Sequence, residues 1–204
     1  MERNYKNGCQ DGRFTFWYKN GQKKSEEYYL DGLQNGHFTI WFENGKKDLE
    51  MTFKYGKQHG LLIEWHENGK KKTKRNYKNG KLDGLYETYF ENGQLGHKGN
   101  WKNGEQHGLW EYFYENGQLL ERINYKDGEQ DGFAEKFHDN GQLWTRGNYK
   151  NGKQDGLWVW YYEDGQLSGR EHYKDGEQDG LQESYHENGQ LESKGNYKDG
   201  EQEG

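Results

Sequence analysis

The sequence predicts an all-β protein, an elongated single-sheet array of tandem 24-residue antiparallel β-hairpins. Glycines recur every 24 residues without insertion or deletion, in a series that runs from Gly8 to Gly200. Aromatic residues keep the same period, in one column from Trp17 to Tyr185 and another from Tyr5 to Tyr197. Strict self-similarity at a fixed period is the signature of a repeat architecture. Paired glycines and aromatic-rich runs leave no stripe of 3.6-residue period, which argues against helices.

The composition separates this chain from both ordinary globular and disordered proteins. Only 28% of its 204 residues are hydrophobic, a level typical of chains that cannot bury a large core. Aromatic residues nevertheless reach 17%, whereas disordered chains are poor in them. The 31 glycines and the absence of proline fit a chain rich in tight turns and strands. The aromatic columns therefore indicate a folded repeat protein.

One repeat shows the predicted order of elements. It begins with a strand over 109–114 and continues through a turn at 115–117, whose Asn-Gly pair is a strong hairpin signal. A second strand follows over 118–125, and a loop over 126–132 leads into the next repeat. Each hairpin alone would be marginally stable, so stacking on its neighbours must supply the remaining stability.

The turn type decides which residues face each other. A three-residue loop with Gly117 in the left-handed region as a bulge pairs Phe113 with Leu119, and this is the register that we favour. It places Trp110 opposite Arg122, where a cation–π contact could form. The same register places Trp158 opposite Arg170.

A two-residue loop gives the alternative register. It pairs Tyr114 with Leu119 and brings opposite charges together across the hairpins. The three charge pairs of this alternative are Glu111 with Arg122, Glu135 with Arg146, and Glu183 with Lys194.

Residues 1–204 are expected to form a single repeat array of about 8.5 units, with partial units at both ends. The phase of the repeat suggests a piece of a longer or designed protein, whose end strands would be unpaired. Residues 1–96 carry a net charge of +4 and residues 97–204 a net charge of −10. We therefore expect weak, salt-sensitive head-to-tail self-association.

Charge and cysteine content exclude several functional classes. The acidic second half disfavours nucleic acid as a general partner. A single cysteine, Cys9, allows no intramolecular disulfide. No apolar run reaches the roughly 18 residues that span a bilayer, and the first residues lack an apolar signal-peptide core. These features predict a cytoplasmic protein.

No pattern in the sequence predicts catalysis, a metal site or a cofactor. Aspartate and glutamate recur at fixed repeat positions, whereas a catalytic pair is usually unique. His66, His138 and His186 share one repeat position, which places them roughly 30 and 20 Å apart at the usual strand spacing. They cannot converge on one ion within a monomer. We expect a non-enzymatic protein whose histidines are solvated or packed.

Two candidate interaction surfaces stand out. The first is an aromatic surface in a column of changing residue type, which would suit recognition of a protein partner if it is exposed. If the column faces inward, the same residues are core instead. The candidate members are Tyr86, Trp110, Tyr112, Trp158 and Trp160.

The second candidate is a dense basic patch. It would attract an anionic partner or an anionic lipid surface, and its alternative interpretation is a solvated strand that discourages aggregation. Its members are Lys70, Lys71, Lys72, Lys74 and Arg75.

The repeats resemble MORN repeats. The matching string runs from Tyr149 to Trp158 and reads YKNGKQDGLW, and the following turn is similar to the bacterial variant found in YwqK-type antitoxins. Leu157 and its equivalents depart from the usual Gly-x-Gly strand start. The resemblance implies a scaffold for protein–protein interaction, with an antitoxin- or immunity-like role and a toxin as the partner. Its alternatives are anionic-lipid association through the basic patch and carbohydrate binding through the aromatic rows.

Overall fold

The computed structural model describes residues 4–203 and builds this part of the chain from β-strands and turns alone. The all-β array of tandem hairpins that the sequence predicts is therefore confirmed. The chain divides between residues 105 and 106 into two compact units, and each is described by itself.

From residue 4 onward, the first unit holds eleven strands. A short ladder of β1 and β2 precedes a sheet in which β3 to β11 follow one another in chain order, and β6 pairs with both β7 and β8. The strands are β1 (Tyr5–Lys6), β2 (Cys9–Gln10), β3 (Gly12–Trp17), β4 (Lys23–Leu30), β5 (Leu33–Trp41), β6 (Lys47–Lys54), β7 (Lys57–Gln58), β8 (Gly60–Trp65), β9 (Lys71–Lys78), β10 (Lys81–Tyr89) and β11 (Leu95–Lys102).

The second unit holds nine strands, and each pairs antiparallel with the next one along the chain. They are β12 (Glu105–Phe113), β13 (Leu119–Lys126), β14 (Glu129–Phe137), β15 (Leu143–Lys150), β16 (Lys153–Tyr161), β17 (Leu167–Lys174), β18 (Glu177–Tyr185), β19 (Leu191–Lys198) and β20 (Glu201–Glu203).

The hairpin of β12 and β13 has the three-residue loop that we favoured. Phe113 pairs with Leu119, and the Tyr114 amide donates to the Gln118 carbonyl at 2.8 Å. Gly117 has a φ of 88°, a left-handed conformation that glycine adopts without strain. The predicted conformation of Gly117 is confirmed.

The register beyond this turn is the alternative one, because Leu120 is a one-residue bulge. The pairing shifts between Phe113 and Tyr112, so Tyr112 faces Glu121 and Glu111 faces Arg122. Our favoured register is therefore wrong beyond the first pair. Trp110 lies opposite Ile123 rather than Arg122, and Trp158 lies opposite Glu171 rather than Arg170. The same bulge places Glu135 opposite Arg146 and Glu183 opposite Lys194.

The connection between repeats is shorter than the seven-residue loop that the sequence predicts. Lys126 already pairs with Glu129, which leaves a turn of two residues. Asp127 and Gly128 have φ values of 50° and 86°, as a type I′ turn requires. Gly132, predicted to end the loop, lies within β14 at a second irregularity, where its φ is 102°. The left-handed tolerance of aspartate explains the tight turn.

Each sheet has two faces of different chemistry. The aromatic face is the one that carries Trp110 and Trp158, and the charged face is the one that carries Arg122 and Glu135. Trp110 is 2% exposed and its ring packs edge-on against Tyr125, with centroids 6.2 Å apart. The core of the second unit therefore lies mainly on the aromatic face.

Hydrogen bonds join each repeat to the next at both edges of the sheet. At one edge, the Asn140 amide donates to the Glu163 carbonyl at 2.8 Å, and the Tyr114 hydroxyl donates to the Phe137 carbonyl at 2.9 Å. At the other edge, the Gly152 amide donates to the Gln130 carbonyl at 2.8 Å. These recurring bonds hold successive hairpins in a constant register.

Candidate functional site

The predicted aromatic surface lies on the aromatic face, and its largest members are buried. Trp110 is 2% exposed and Trp158 is 4% exposed, so the inward-facing interpretation holds for both. Tyr86, Tyr112 and Trp160 lie on the same face and are half-buried. Burial raises the pKa of Tyr112 to about 12. Trp110 and Trp158 cannot stack on a sugar ring from these positions.

The aromatic column that begins at Trp17 is more exposed at its start than the column of Trp110 and Trp158. Trp17 is 38% exposed, whereas Phe14, three residues earlier and in the same column as Trp110, is 1% exposed. Strand alternation places these two residues on opposite faces, and the one-residue bulge determines which face is covered.

The predicted basic patch is divided among different parts of the first sheet. Lys74 pairs with Glu87 at 3.3 Å on the charged face, and Arg75 pairs with Glu64 at 2.8 Å on the opposite face. Lys70 donates through Nζ to the Asn92 carbonyl at 2.6 Å at the turn. Lys71 and Lys72 are exposed. Because neighbours in a strand point to opposite faces, the five residues do not form one continuous patch.

A ladder of alternating charges runs across the charged face of the second unit. Glu135 pairs with Arg122 of the preceding strand, and Glu183 accepts hydrogen bonds from both Arg170 and Tyr185. Lys194 lies 3.2 Å from the other oxygen of Glu183. The Arg170 guanidinium, with Tyr185 adding to it, lowers the pKa of Glu183 to about 2. The Glu183 carboxylate is therefore held ionised by the sheet itself.

The three-residue turns line up along one edge of each sheet, which we call the turn edge. Next to every three-residue turn lies one bulge residue, and we call the set of these bulge residues the bulge row. Its side chains differ widely in chemistry from one repeat to the next. The bulge row consists of Lys24, Asp48, Lys72, Gly96, Leu120, Trp144, Ser168 and Glu192.

Two bulge-row side chains lie against the ring that opens their own turn. The Trp144 and His138 rings lie 6.1 Å apart, and Lys24 Nζ lies 5.7 Å from the centre of the Tyr18 ring. Trp144 is nevertheless 45% exposed. The sequence analysis missed this row because it did not predict the bulge. Its variation from lysine to tryptophan was the signal that could have revealed it.

A cleft at the turn edge of the second unit brings part of this row together with carboxylates. Trp144 and Tyr161 contribute its aromatic lining, and Glu163 and Glu187 its acidic lining. Within residues 4–203, neither of these two glutamates makes a side-chain hydrogen bond or ion pair. The full lining is His138, Trp144, Tyr161, Tyr162, Glu163, Asp164, Ser168 and Glu187.

The first unit has a cleft at the same position, 96 residues earlier in the chain. Every lining residue there occupies the repeat position of one in the second cleft, although of the eight only the two glutamates are the same residue. Asp48 stands where the second cleft has Trp144, and Lys72 stands where it has Ser168. Burial and the nearby Glu64 carboxylate raise the pKa of Asp48, while the Lys72 ammonium opposes the rise. The first cleft therefore contains a cation of its own.

The turn edges of the two units carry opposite charge. Each turn segment is taken from the residue before the three-residue loop to the bulge residue. The four segments of the first unit, which are 18–24, 42–48, 66–72 and 90–96, contain eight lysines and four carboxylates. The same four segments of the second unit contain six carboxylates and no lysine or arginine. The charge difference between the halves of the chain is thus concentrated at this edge.

The histidines at the turn edge make contacts within the protein. His66 Nε2 lies 3.1 Å from the Tyr89 carbonyl, and His138 Nε2 lies 3.1 Å from the Tyr161 carbonyl. Among the residues that the structure describes, no group of three or more His, Cys, Asp or Glu side chains is placed to hold a metal ion. None of the described elements is a helix long and apolar enough to cross a membrane.

Comparison with known proteins identifies the repeats. A search of the curated proteins gave no match. The model of the MORN repeat variant family matches eight tandem segments, which are 10–31, 34–55, 58–79, 82–103, 106–127, 130–151, 154–175 and 178–199. Each segment ends next to a type I′ turn, so the family period coincides with the structural repeat of two strands. The chain belongs to the MORN repeat variant family, and its repeats form a scaffold for binding.

Proposed function

We propose that this protein is a non-enzymatic scaffold that binds a protein partner along its turn edge. The observation that carries the proposal is the contrast between a constant framework and the variable bulge row. Turn glycines and the hydrogen bonds between repeats recur from unit to unit, while the residue at the bulge ranges from Lys72 to Trp144. A bulge residue lies outside the regular ladder, so its side chain can change without breaking strand pairs.

The turn edge also has the composition of an interaction surface. Exposed tryptophan contributes large contact area at interfaces, and Trp144 is 45% exposed. Because bulge residues recur once per hairpin, they are about 10 Å apart, twice the spacing of adjacent strands. A regular row of unlike side chains can discriminate among partners by combination.

The test compares what two matched variants capture from cells of the source organism. In the first variant, serine replaces three bulge residues, Leu120, Trp144 and Glu192. In the control, serine replaces three exposed residues beside the two-residue turns, Glu129, Lys153 and Glu177. Quantitative mass spectrometry should show a partner that the wild type and the control retain and the first variant loses. Equal retention by both variants would refute the turn edge as the binding site.

The family resemblance makes the partner in this proposal a toxin, with the scaffold acting as its antitoxin. Expression of the captured partner alone should then arrest growth, and co-expression of the wild-type scaffold should restore it. Rescue should fail with the bulge-row variant. A partner that is harmless when expressed alone would remove the antitoxin role and leave the scaffold role in place.

Anionic lipid is a second candidate, which the eight lysines at the turn edge of the first unit favour. Vesicles that contain phosphatidylserine should then sediment with the protein at low salt and release it when salt screens the charges. Replacing Lys70, Lys71 and Lys72 with glutamine should weaken this sedimentation. Sedimentation that is unaffected by these substitutions would argue against the basic edge.

A further inference from the structure

We infer that the turn edge of the second unit recognises a basic, extended segment of a protein partner, whose lysine or arginine side chains enter the cleft beside Trp144. This inference names the partner chemistry for the scaffold role proposed above and rests on that role. The cleft combines exposed aromatic rings with glutamates, the two groups that attract an ammonium or guanidinium ion.

The first argument is electrostatic. Four consecutive turn segments of the second unit hold six carboxylates and no lysine or arginine. Glu163 and Glu187 both line the cleft, and neither side chain has an ion-pair or hydrogen-bond partner within residues 4–203. Carboxylates on the charged face contrast with them, since Glu183 is paired with Arg170 and Lys194. On the charged face the Glu183 carboxylate is thus neutralised by cations of the protein itself, whereas the two glutamates of the cleft have no such partner among the described residues.

The second argument comes from the equivalent cleft in the first unit. Lys72 lines that cleft, where the second unit has Ser168. Lys47 Nζ lies 5.6 Å from the centre of the Trp65 ring, and Trp65 is the counterpart of Tyr161. The first cleft thus has the Lys72 ammonium group in its lining and the Lys47 ammonium group over one of its rings. In the second unit the Arg146 guanidinium lies 6.0 Å from the centre of the Tyr161 ring, but among the described residues no lysine or arginine lines the cleft itself. An ammonium group there therefore has to come from another molecule.

The third argument concerns the aromatic residue at the bulge. Trp144 replaces the Asp48 of the first cleft and leans against His138, with ring centroids 6.1 Å apart. It remains 45% exposed, although a large apolar side chain could have been covered by its neighbours. The face of an exposed ring attracts a cation, so a ring and two carboxylates together favour a cationic side chain over a neutral one.

The repeat also sets the spacing of the cations. Equivalent positions at the turn edge are two strands apart, about 10 Å. Three residues of a polyproline II segment span nearly the same distance, roughly 9 Å, and every third side chain of such a segment points to the same side. The segment that fits best therefore carries lysine or arginine at every third position and runs across the strands.

The test uses the full chain and the peptide acetyl-GKGGKGGKG-amide, with a second peptide in which norleucine replaces each lysine. The readout is the indole N–H signal of Trp144 in a nitrogen–proton correlation spectrum, identified with Trp144→Phe. The lysine peptide should shift this signal in a saturable way, and the norleucine peptide should not. If the lysine peptide leaves the signal in place, the inference is wrong.

Two charge-matched variants separate the cleft from general attraction to an acidic protein. Glu163→Gln with Glu187→Gln should weaken peptide binding by about fivefold or more, the effect of losing roughly 1 kcal/mol. Glu129→Gln with Glu177→Gln removes the same charge at the opposite edge and should leave binding within about twofold. Equal weakening in both variants would overturn the inference.

Two further outcomes assign the cleft differently. If the Trp144 signal moves on raising the protein concentration alone, the occupant is the lysine edge of a second copy, and a partner segment is excluded. If the lysine peptide does not bind but the three bulge-row substitutions still abolish partner capture, the scaffold role is supported. Only the inference that the partner segment is basic is then wrong.

Discussion

On the aromatic face of the second unit, the large Trp158 side chain packs over a residue without a side chain, Gly147. The Trp158 indole lies over Gly147 and donates from Nε1 to the Asn148 carbonyl at 3.1 Å. A Cβ atom at Gly147 would overlap the ring. We expect Gly147→Ala to destabilise the protein by about 1–3 kcal/mol, as overpacking does, in denaturant unfolding.

The control is Gly195, which occupies the same repeat position two repeats later. A Cβ atom there would meet the flexible end of Gln202 at 3.2 Å, which can move aside. Gly195→Ala should therefore cost much less than Gly147→Ala. The loss at Gly147 should also shrink in a Trp158→Leu background, since the ring is what the methyl group meets. An undiminished loss would assign the effect to the backbone instead.

Glu183 gives the protein a pH dependence that can be traced to one carboxylate. Its pKa falls from an ordinary 4.5 to about 2 because Arg170 and Tyr185 stabilise the charged form. A depressed pKa contributes stability above pH 4.5, and this contribution is lost as the pH falls from 4.5 to about 2. The melting temperature of the wild type should exceed that of Glu183→Gln at neutral pH, and the difference should disappear near pH 2.

Glu187→Gln is the matched control, because this exposed glutamate has no described partner. Its melting temperature should differ little from that of the wild type at either end of the pH range. A pH profile of Glu187→Gln like that of Glu183→Gln would attribute the effect to overall charge rather than to the ladder.

At the scale of the hairpin, the three-residue turn depends on a left-handed residue. Gly117 has a φ of 88°, and a β-branched side chain is strained there. We expect Gly117→Val to cost more than about 1 kcal/mol of unfolding free energy. Gly117→Asn should cost clearly less, since asparagine tolerates this region. Equal losses would show that the turn does not require a left-handed residue.

The charge ladder has one gap, at the centre of β16. Val159 faces Arg146 and Arg170, where the equivalent positions of β14 and β18 hold Glu135 and Glu183. Among the described residues Arg146 has no carboxylate within ion-pair distance, and its guanidinium lies 6.0 Å from the Tyr161 ring centre. Val159→Glu would insert a carboxylate between two cations.

We expect Val159→Glu to raise the melting temperature at low salt. The gain should not exceed about 1 kcal/mol, because these pairs are partly exposed. It should shrink at about 0.5 M sodium chloride, where charges are screened. The control variant Val159→Gln introduces a side chain of the same shape as glutamate but without its charge, and its melting temperature should show no salt-dependent increase. A gain in Val159→Gln of the same size would point to packing rather than to the ladder.

The hairpin also shows how far sequence alone can predict this fold. The period, the turn positions and the left-handed Gly117 follow from local preferences of glycine and asparagine. The bulge at Leu120 does not, because a bulge residue makes no regular pair and carries no fixed side-chain preference. One unpredicted residue moves Trp110 from an expected interaction surface to the core. The sequence therefore left open which way the aromatic column faces, and in the structure Trp110 and Trp158 are core residues.

At the scale of the whole molecule, repeats are coupled to their immediate neighbours by the same few bonds. Within the second unit, the bond from Gly152 to Gln130 recurs one repeat later between Gly176 and Gln154. Stability should then be a sum of repeat and neighbour contributions, as in other repeat proteins. Removal of one whole repeat should leave a shorter but regular sheet.

Deletion of residues 154–177 tests this expectation at a site where the new junction between repeats preserves the neighbouring turn and strand contacts. The cut removes 24 residues and joins Lys153 to Gln178, so the type I′ turn before the seam is preserved. Arg146 becomes the neighbour of Glu183, which closes the gap at Val159, and Gly147 meets Gln182 instead of Trp158. The shortened protein should keep the strand content per residue in circular dichroism and melt cooperatively, at a lower temperature because a buried tryptophan is lost.

Deletion of residues 154–165 is the control, since it removes half a period. Lys153 would then join Gln166, which places a second strand of the repeat where a first strand belongs and brings the three-residue turn out of line with its neighbours. This variant removes fewer residues but should lose cooperative unfolding, because the hydrogen bonds between repeats cannot re-form in register. If the half-period deletion melts as cooperatively as the full-period one, the repeats are not the unit of stability, and coupling between nearest neighbours does not describe this protein.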